Sequence, residues 1–147
     1  MTTAAPQGPR VLAIEDDIGT IEGLTSELEL SYARIAYTDT GSEGESRIKS
    51  EAFDLLIVDM RLPWVKSEAV DEMAGLRLLA KLQRGELGEL NKETLCVLAS
   101  AQEFRVDILL ERMSENGMAV PNMDGVLRFQ KGDEIIPFAA RLIELLS

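Results

Sequence analysis

The chain has 147 residues, with 15 basic and 26 acidic side chains and a net charge of −11. That is one domain's worth of chain, enough to bury an ordinary core without disulfide or metal staples, and its acidity argues against a surface built to neutralise nucleic-acid phosphates or to sit on anionic lipid. It contains no histidine and a single cysteine, Cys96, which excludes Ser-His-Asp and Cys-His catalysis, histidine-ligated zinc and an intrachain disulfide, and fits a reducing, cytoplasmic setting.

Residues 1–9 are polar, hold Pro6, Gly8 and Pro9, and lack the order of a signal peptide. They read as a flexible leader to a domain spanning 10–147. No apolar run approaches a membrane span. The first strand signal is Val11 to Ile14. Ile18, Ile21, Leu24 and Leu28 follow at helical spacing. Arg34 to Thr38 alternates in polarity and suggests an edge strand, while Glu43 to Lys49 has few apolar positions and is a poor helix.

Leu55 to Val58 is a continuous apolar run, as in a strand covered on both faces. A long loop is expected over Pro63–Gly75, then a helix marked by Leu76, Leu79 and Leu82. Leu95 to Ala99 is the fourth strand, and Val106, Leu109, Leu110 and Met113 mark the next helix. A second long loop is expected over Ser114–Gly125, a weaker fifth strand over Val126–Phe129, and a last helix over Glu134–Leu146 with Ile135, Ala139, Leu142 and Leu146 on one stripe. Five alternations of strand and helix predict an α/β fold: a five-stranded parallel sheet with right-handed crossovers and helices on both faces.

In such a sheet, ligands sit beyond the carboxyl ends of the strands. There the chain places Glu15, Asp16 and Asp17 after the first strand, Asp59 after the third, Ser100 after the fourth and Lys131 just past the fifth. Carboxylates gathered in one crevice need a cation, and Mg²⁺ suits a few carboxylate oxygens while keeping waters and accepting phosphate. Lys131 offers a point charge for phosphate and Ser100 a hydroxyl donor. A central carboxylate can act as nucleophile and form an aspartyl phosphate, so the set points to phosphoryl transfer.

This ordered set resembles the receiver domain of response regulators in two-component signalling. Pro63 in Asp-Met-Arg-Leu-Pro, Gly75 opening the next helix, and Ala101 after the hydroxyl residue add to the likeness, which covers residues 10–147. The resemblance implies a flavodoxin-like, doubly wound sheet of strand order 2-1-3-4-5 and a module that is not a turnover enzyme. Asp59 would accept a phosphoryl group from a sensor histidine kinase or phosphotransfer protein. Glu15, Asp16 and Asp59 would hold Mg²⁺ with the backbone carbonyl of Arg61, and Ser100 and Lys131 would grip the phosphoryl oxygens. Asp17 could equally cap the helix starting near Ile18. Output would pass to another protein or through a homodimer face, with no nucleic acid or membrane involved.

The sequence also departs from the family's pattern. Each of the stretches Asp59–Ser100 and Ser100–Lys131 is longer by roughly ten residues, a length that loops tolerate. The extra residues fall mostly in 64–74, expected over the site, and in 115–124. The position three before the lysine, usually aromatic, is Arg128, which is expected to face solvent or pair with an acid; Phe129 is one further on. Gly132 stands where the family has proline, often with a cis bond. Trp64 could cover the site or pack on the surface. Cys96 is expected to be a small buried hydrophobe. Met113, Met118 and Met123 are core filling unless they form a partner surface. The altered residues around Lys131 leave open a phosphorylation-independent interaction module. A Mg²⁺-dependent phosphatase is disfavoured by the missing Asp-x-Asp pair.

Overall fold

The computed structural model describes residues 8–147, so most of the expected leader lies outside the described residues. Five long strands run β1 (Arg10–Ile14), β2 (Arg34–Thr38), β3 (Leu55–Asp59), β6 (Leu95–Ser100) and β7 (Leu127–Gln130). They form one parallel sheet in the order β2-β1-β3-β6-β7, which is 2-1-3-4-5 among the long strands. The helices are α1 (Glu22–Leu30), α2 (Gly41–Ser50), α3 (Ala74–Gln83), α4 (Glu103–Glu115) and α5 (Ile135–Leu146). No described helix is long and apolar enough to cross a membrane.

Alternation along each strand sorts the core into two layers. Leu12, Ile14, Leu56, Val58, Cys96 and Leu98 point to the face covered by α2, α3 and α4. Val11, Ala13, Leu55, Ile57, Val97, Ala99 and Phe129 point to the face covered by α1 and α5. Both layers are buried, because the central strands are covered on both sides. The α5 stripe of Ile135, Ala139, Leu142 and Leu146 packs into the second layer, and Met113, Met118 and Met123 pack into the first, as core rather than a partner surface. Cys96 is buried there, and burial pushes its thiol up to about 12, which leaves it unreactive.

Several expectations are corrected. The weak apolar pattern of residues 43–49 nevertheless forms α2. Thr40 caps it, its Oγ1 accepting from the Glu43 N–H at 3.2 Å. Its packing comes from close approach: Ile48 is buried, and small residues let neighbours in. The first turn near Ile18 is a short 3₁₀ segment (Ile18–Thr20), and α1 starts only at Glu22. Asp17 precedes that segment, but its side chain makes no capping hydrogen bond.

The first long loop contains a two-stranded hairpin, β4 (Leu62–Pro63) with β5 (Val70–Asp71). Trp64 leaves this hairpin and lies against Gly41 at the start of α2, where a Cβ would meet ring carbons at 2.8 and 2.9 Å. The Arg77 guanidinium stacks 4.5 Å from the same ring and the Lys81 ammonium lies 5.1 Å from it. Lys81 also pairs with Glu45. The inserted residue seals the seam between α2 and α3.

At the starts of β3 and β6, Asn91 is fully buried and fully bonded. Its Nδ2 donates to the carbonyls of Ile48 and Glu51, each at 2.7 Å, closing the end of α2. Its Oδ1 accepts from the Phe53 N–H at 2.8 Å and from the Thr94 hydroxyl at 3.2 Å. An Asn91→Ala variant strands several buried polar groups and should lose about 3 kcal/mol of unfolding free energy in urea, with an unchanged m-value.

Candidate functional site

The parallel register carries the chemistry to one end of the sheet. Ile14 pairs with both Thr38 and Val58, so Glu15, one residue on, emerges beside the end of β3. Asp59 pairs with Ala99, so Ser100 emerges on its other side. Ser100 in turn pairs with Gln130, and its carbonyl accepts the Lys131 N–H at 2.7 Å.

The side chains converge. Ligand oxygens of Glu15, Asp16 and Asp59 lie within 4.8 Å of one another, with Glu15 and Asp59 buried and Asp16 exposed. The Lys131 ammonium reaches between them, 2.8 Å from Glu15 Oε2 and 3.2 Å from Asp59 Oδ1. Glu15 Oε2 is buried, and the Lys131 ammonium is its one cationic contact among the described residues. Glu15 Oε1 accepts from the Asp17 N–H at 3.1 Å, and Asp59 Oδ1 accepts from the Arg61 N–H at 3.4 Å.

Burial, reinforced by Asp59, pushes Glu15 up to about 8. Burial also raises Asp59, although Lys131 pulls it back. Burial opposes the Lys131 charge, yet Glu15 and Asp59 together hold its ammonium above the usual lysine range. One lysine therefore does not neutralise the carboxylates. Two buried carboxylates that share one lysine, with the exposed Asp16 beside them, fit a hard divalent cation such as Mg²⁺.

Two glycines shape the site. At Gly75 a Cβ would run into the Asp59 carbonyl oxygen and lie 2.8 Å from Met60 Cα, and the Gly75 N–H donates to the Met60 carbonyl at 3.0 Å. The start of α3 is thus pressed against the loop that presents Asp59. Gly132 has φ +96°, a conformation that favours glycine, and every described peptide bond is trans. The chain turns after Lys131 by this left-handed residue, with the Asp133 N–H donating to the Gln130 carbonyl at 3.0 Å.

The Ser100 hydroxyl points to Glu103, donating to Oε2 at 3.4 Å. Glu103 was not singled out among the candidate residues, although the Ser-x-x-Glu spacing in Ser100–Glu103 is a legible signal. Here it forms no capping box, because the helix cap is Gln102. Arg128 pairs with Glu103 at 3.1 Å and Asp107 at 3.2 Å, as the sequence suggests for a guanidinium among acids. Phe129 is buried in the α1–α5 layer with its ring 4.9 Å from Phe138, on the opposite face of the sheet from Arg128. A cleft of about 600 Å³ opens elsewhere, at the starts of β6 and β7 between Leu82, Lys92, Cys96 and Asp124, and none of the site carboxylates lines it.

No family model matches the chain, and no curated protein matches it by sequence. Solved structures do. The non-phosphorylated HemR receiver domain from Leptospira biflexa is 29% identical, with 95% of this chain and 94% of that one covered at a TM-score of 0.63. A response-regulator receiver domain from Methanospirillum hungatei is 20% identical over 95% and 94% of the two chains at 0.66. The fold is that of a response-regulator receiver domain. A further receiver structure of this fold belongs to a sensor histidine kinase from Pseudomonas aeruginosa and has a magnesium ion coordinated in its active-site cleft; it is 16% identical over 95% of this chain and 97% of that one, at 0.66.

The carboxylate cluster makes a stability prediction. Because burial disfavours the ionised form of Asp59, the neutral isostere should relieve the metal-free receiver fold. Asp59→Asn is expected to raise the melting temperature by ~3 °C at neutral pH in chelator, measured by calorimetry. A fall of that size would contradict the electrostatic account.

Proposed function

We propose that this chain is a phosphoacceptor module of a two-component phosphorelay, in which Asp59 takes a phosphoryl group from the phosphohistidine of a sensor kinase or phosphotransfer protein. The observation that carries this reading is the Lys131 ammonium held against both Asp59 and Glu15 at the carboxyl end of the sheet, with Asp16 beside them. Asp59 is the central member: it lies between β1 and β6 and contacts the lysine directly.

The roles follow from position. The Asp59 carboxylate is the nucleophile: an oxygen attacks phosphorus, the P–N bond to the donor imidazole breaks, and an acyl phosphate forms. Glu15, Asp16, Asp59 and the Arg61 backbone carbonyl would hold Mg²⁺, which supplies neutralising charge for the phosphoryl oxygens. Lys131 exchanges its contact with Asp59 for a phosphoryl oxygen, and Ser100 donates its hydroxyl to another. Burial of Asp59 keeps bulk water from the nucleophile. The module accepts a group rather than turning over a substrate, and its acidic surface suits signalling by protein contact.

Two measurements test the reading. In Mg²⁺ with acetyl phosphate, intact-mass analysis should show one added phosphoryl group, absent from Asp59→Asn. Equal labelling of that variant would overturn the assignment. Saturating Mg²⁺ should stabilise the protein by about 2–3 kcal/mol at a hundredfold excess over its Kd, with a smaller gain in Asp59→Asn. Labelling that is absent, together with no thermal response to Mg²⁺, would favour a phosphorylation-independent interaction module.

A further inference from the structure

The Ser100 hydroxyl has one hydrogen-bond partner among the described residues, and it is not in the carboxylate cluster. It donates to Glu103 Oε2 at 3.4 Å, while Glu103 Oε1 accepts from Arg128 at 3.1 Å. Arg128 also holds Asp107, one turn further along α4 from Glu103. The chain of contacts therefore runs from the buried end of β6, through the first turn of α4, to β7 and the exposed flank of α4.

The strand pleat explains why this arrangement exists. Phe129 faces the α1–α5 layer and is buried, so its neighbour Arg128 must face the α4 side. Glu103 and Asp107 are four residues apart and present one face of α4 to it. The guanidinium donates charge-assisted bonds to both acids, whereas the serine contact is long. The weak link in the chain is thus the one next to the site. Glu103 is fixed by Arg128, and the serine hydroxyl can leave it.

We propose that Glu103 is a positioning residue, held in place by Arg128, that keeps the Ser100 hydroxyl turned to α4 until a phosphoryl group on Asp59 offers it a better acceptor. This rests on the phosphoacceptor reading of the site. On capture of the hydroxyl, Glu103 loses its buried-side partner, and the Glu103–Arg128–Asp107 cluster on the α4–β7 surface is left to rearrange. The device links site and surface through ion pairs where an aromatic side chain is absent.

The test is beryllofluoride binding by the full chain in saturating Mg²⁺, followed by the ¹⁹F signal of the bound adduct. Glu103→Ala frees the hydroxyl in advance and should tighten binding about threefold, the worth of a weak hydrogen bond. In a Ser100→Ala background the same substitution should have no effect, so that the double variant binds like Ser100→Ala alone. Asp107→Asn removes a charge from the same guanidinium without touching Ser100, and should stay within about twofold of wild type. Additive effects of Ser100→Ala and Glu103→Ala, or equal tightening by Asp107→Asn, would show that Glu103 acts only through its charge and would overturn the proposal while leaving the site reading intact. Failure of the wild-type chain to bind beryllofluoride at all would overturn both.

Discussion

The Lys131 ammonium, 2.8 Å from Glu15 and 3.2 Å from Asp59, is the contact on which the candidate site depends. Two carboxylates buried side by side repel each other and lose hydration, and neither can ionise freely without a cation. The lysine supplies one charge and pulls both carboxyls down, while burial, the larger cause, still pushes Glu15 and Asp59 up. On the proposed reading, a divalent cation would supply the charge that the single lysine does not.

The rest of the fold brings these groups together and holds them. Strand register sets the lateral spacing of Glu15, Asp59 and Ser100, since each emerges from a neighbouring parallel strand. The backbone bond from the Lys131 N–H to the Ser100 carbonyl anchors the lysine's own segment to β6. Gly75 permits the start of α3 to press on the Asp59 loop, and Gly132 turns the chain away immediately after the lysine. Farther off, Asn91 ties the end of α2 to the start of β3, so the strand that delivers Asp59 is fixed at its other end by four hydrogen bonds to one buried amide.

Much of this is legible in the sequence because it rests on local pattern. The apolar runs at Val11, Leu55 and Leu95, each followed by a polar residue, place the strands and their ends, the alternation of strand and helix implies a parallel sheet, and the likeness to receiver domains implies the strand order found. What is not legible depends on partners distant in the chain. The helix α2 lacks an apolar stripe because its packing relies on small residues and on Trp64, contributed from a hairpin some twenty residues later. The inserted segment 64–74 looks like a cover for the site, but its tryptophan finds the α2–α3 seam, where Arg77 and Lys81 stack on the ring. Arg128 is visible as a departure from the receiver pattern, and its pairing with an acid is foreseeable. The identity of Glu103 as that acid, and the contact of Glu103 with Ser100, require the register of β7 against α4.

The central claim is that one group of carboxylates, among the many acids of a chain with net charge −11, forms the cation site. Substoichiometric Mn²⁺ tests it most directly, because a bound paramagnetic ion broadens the amide signals nearest to it. The account predicts broadening centred on residues 15–17, 59–61 and 100, removed by excess Mg²⁺ and by Asp59→Asn. Broadening spread over the acidic faces of α1 and α4, with those three segments unaffected, would contradict it.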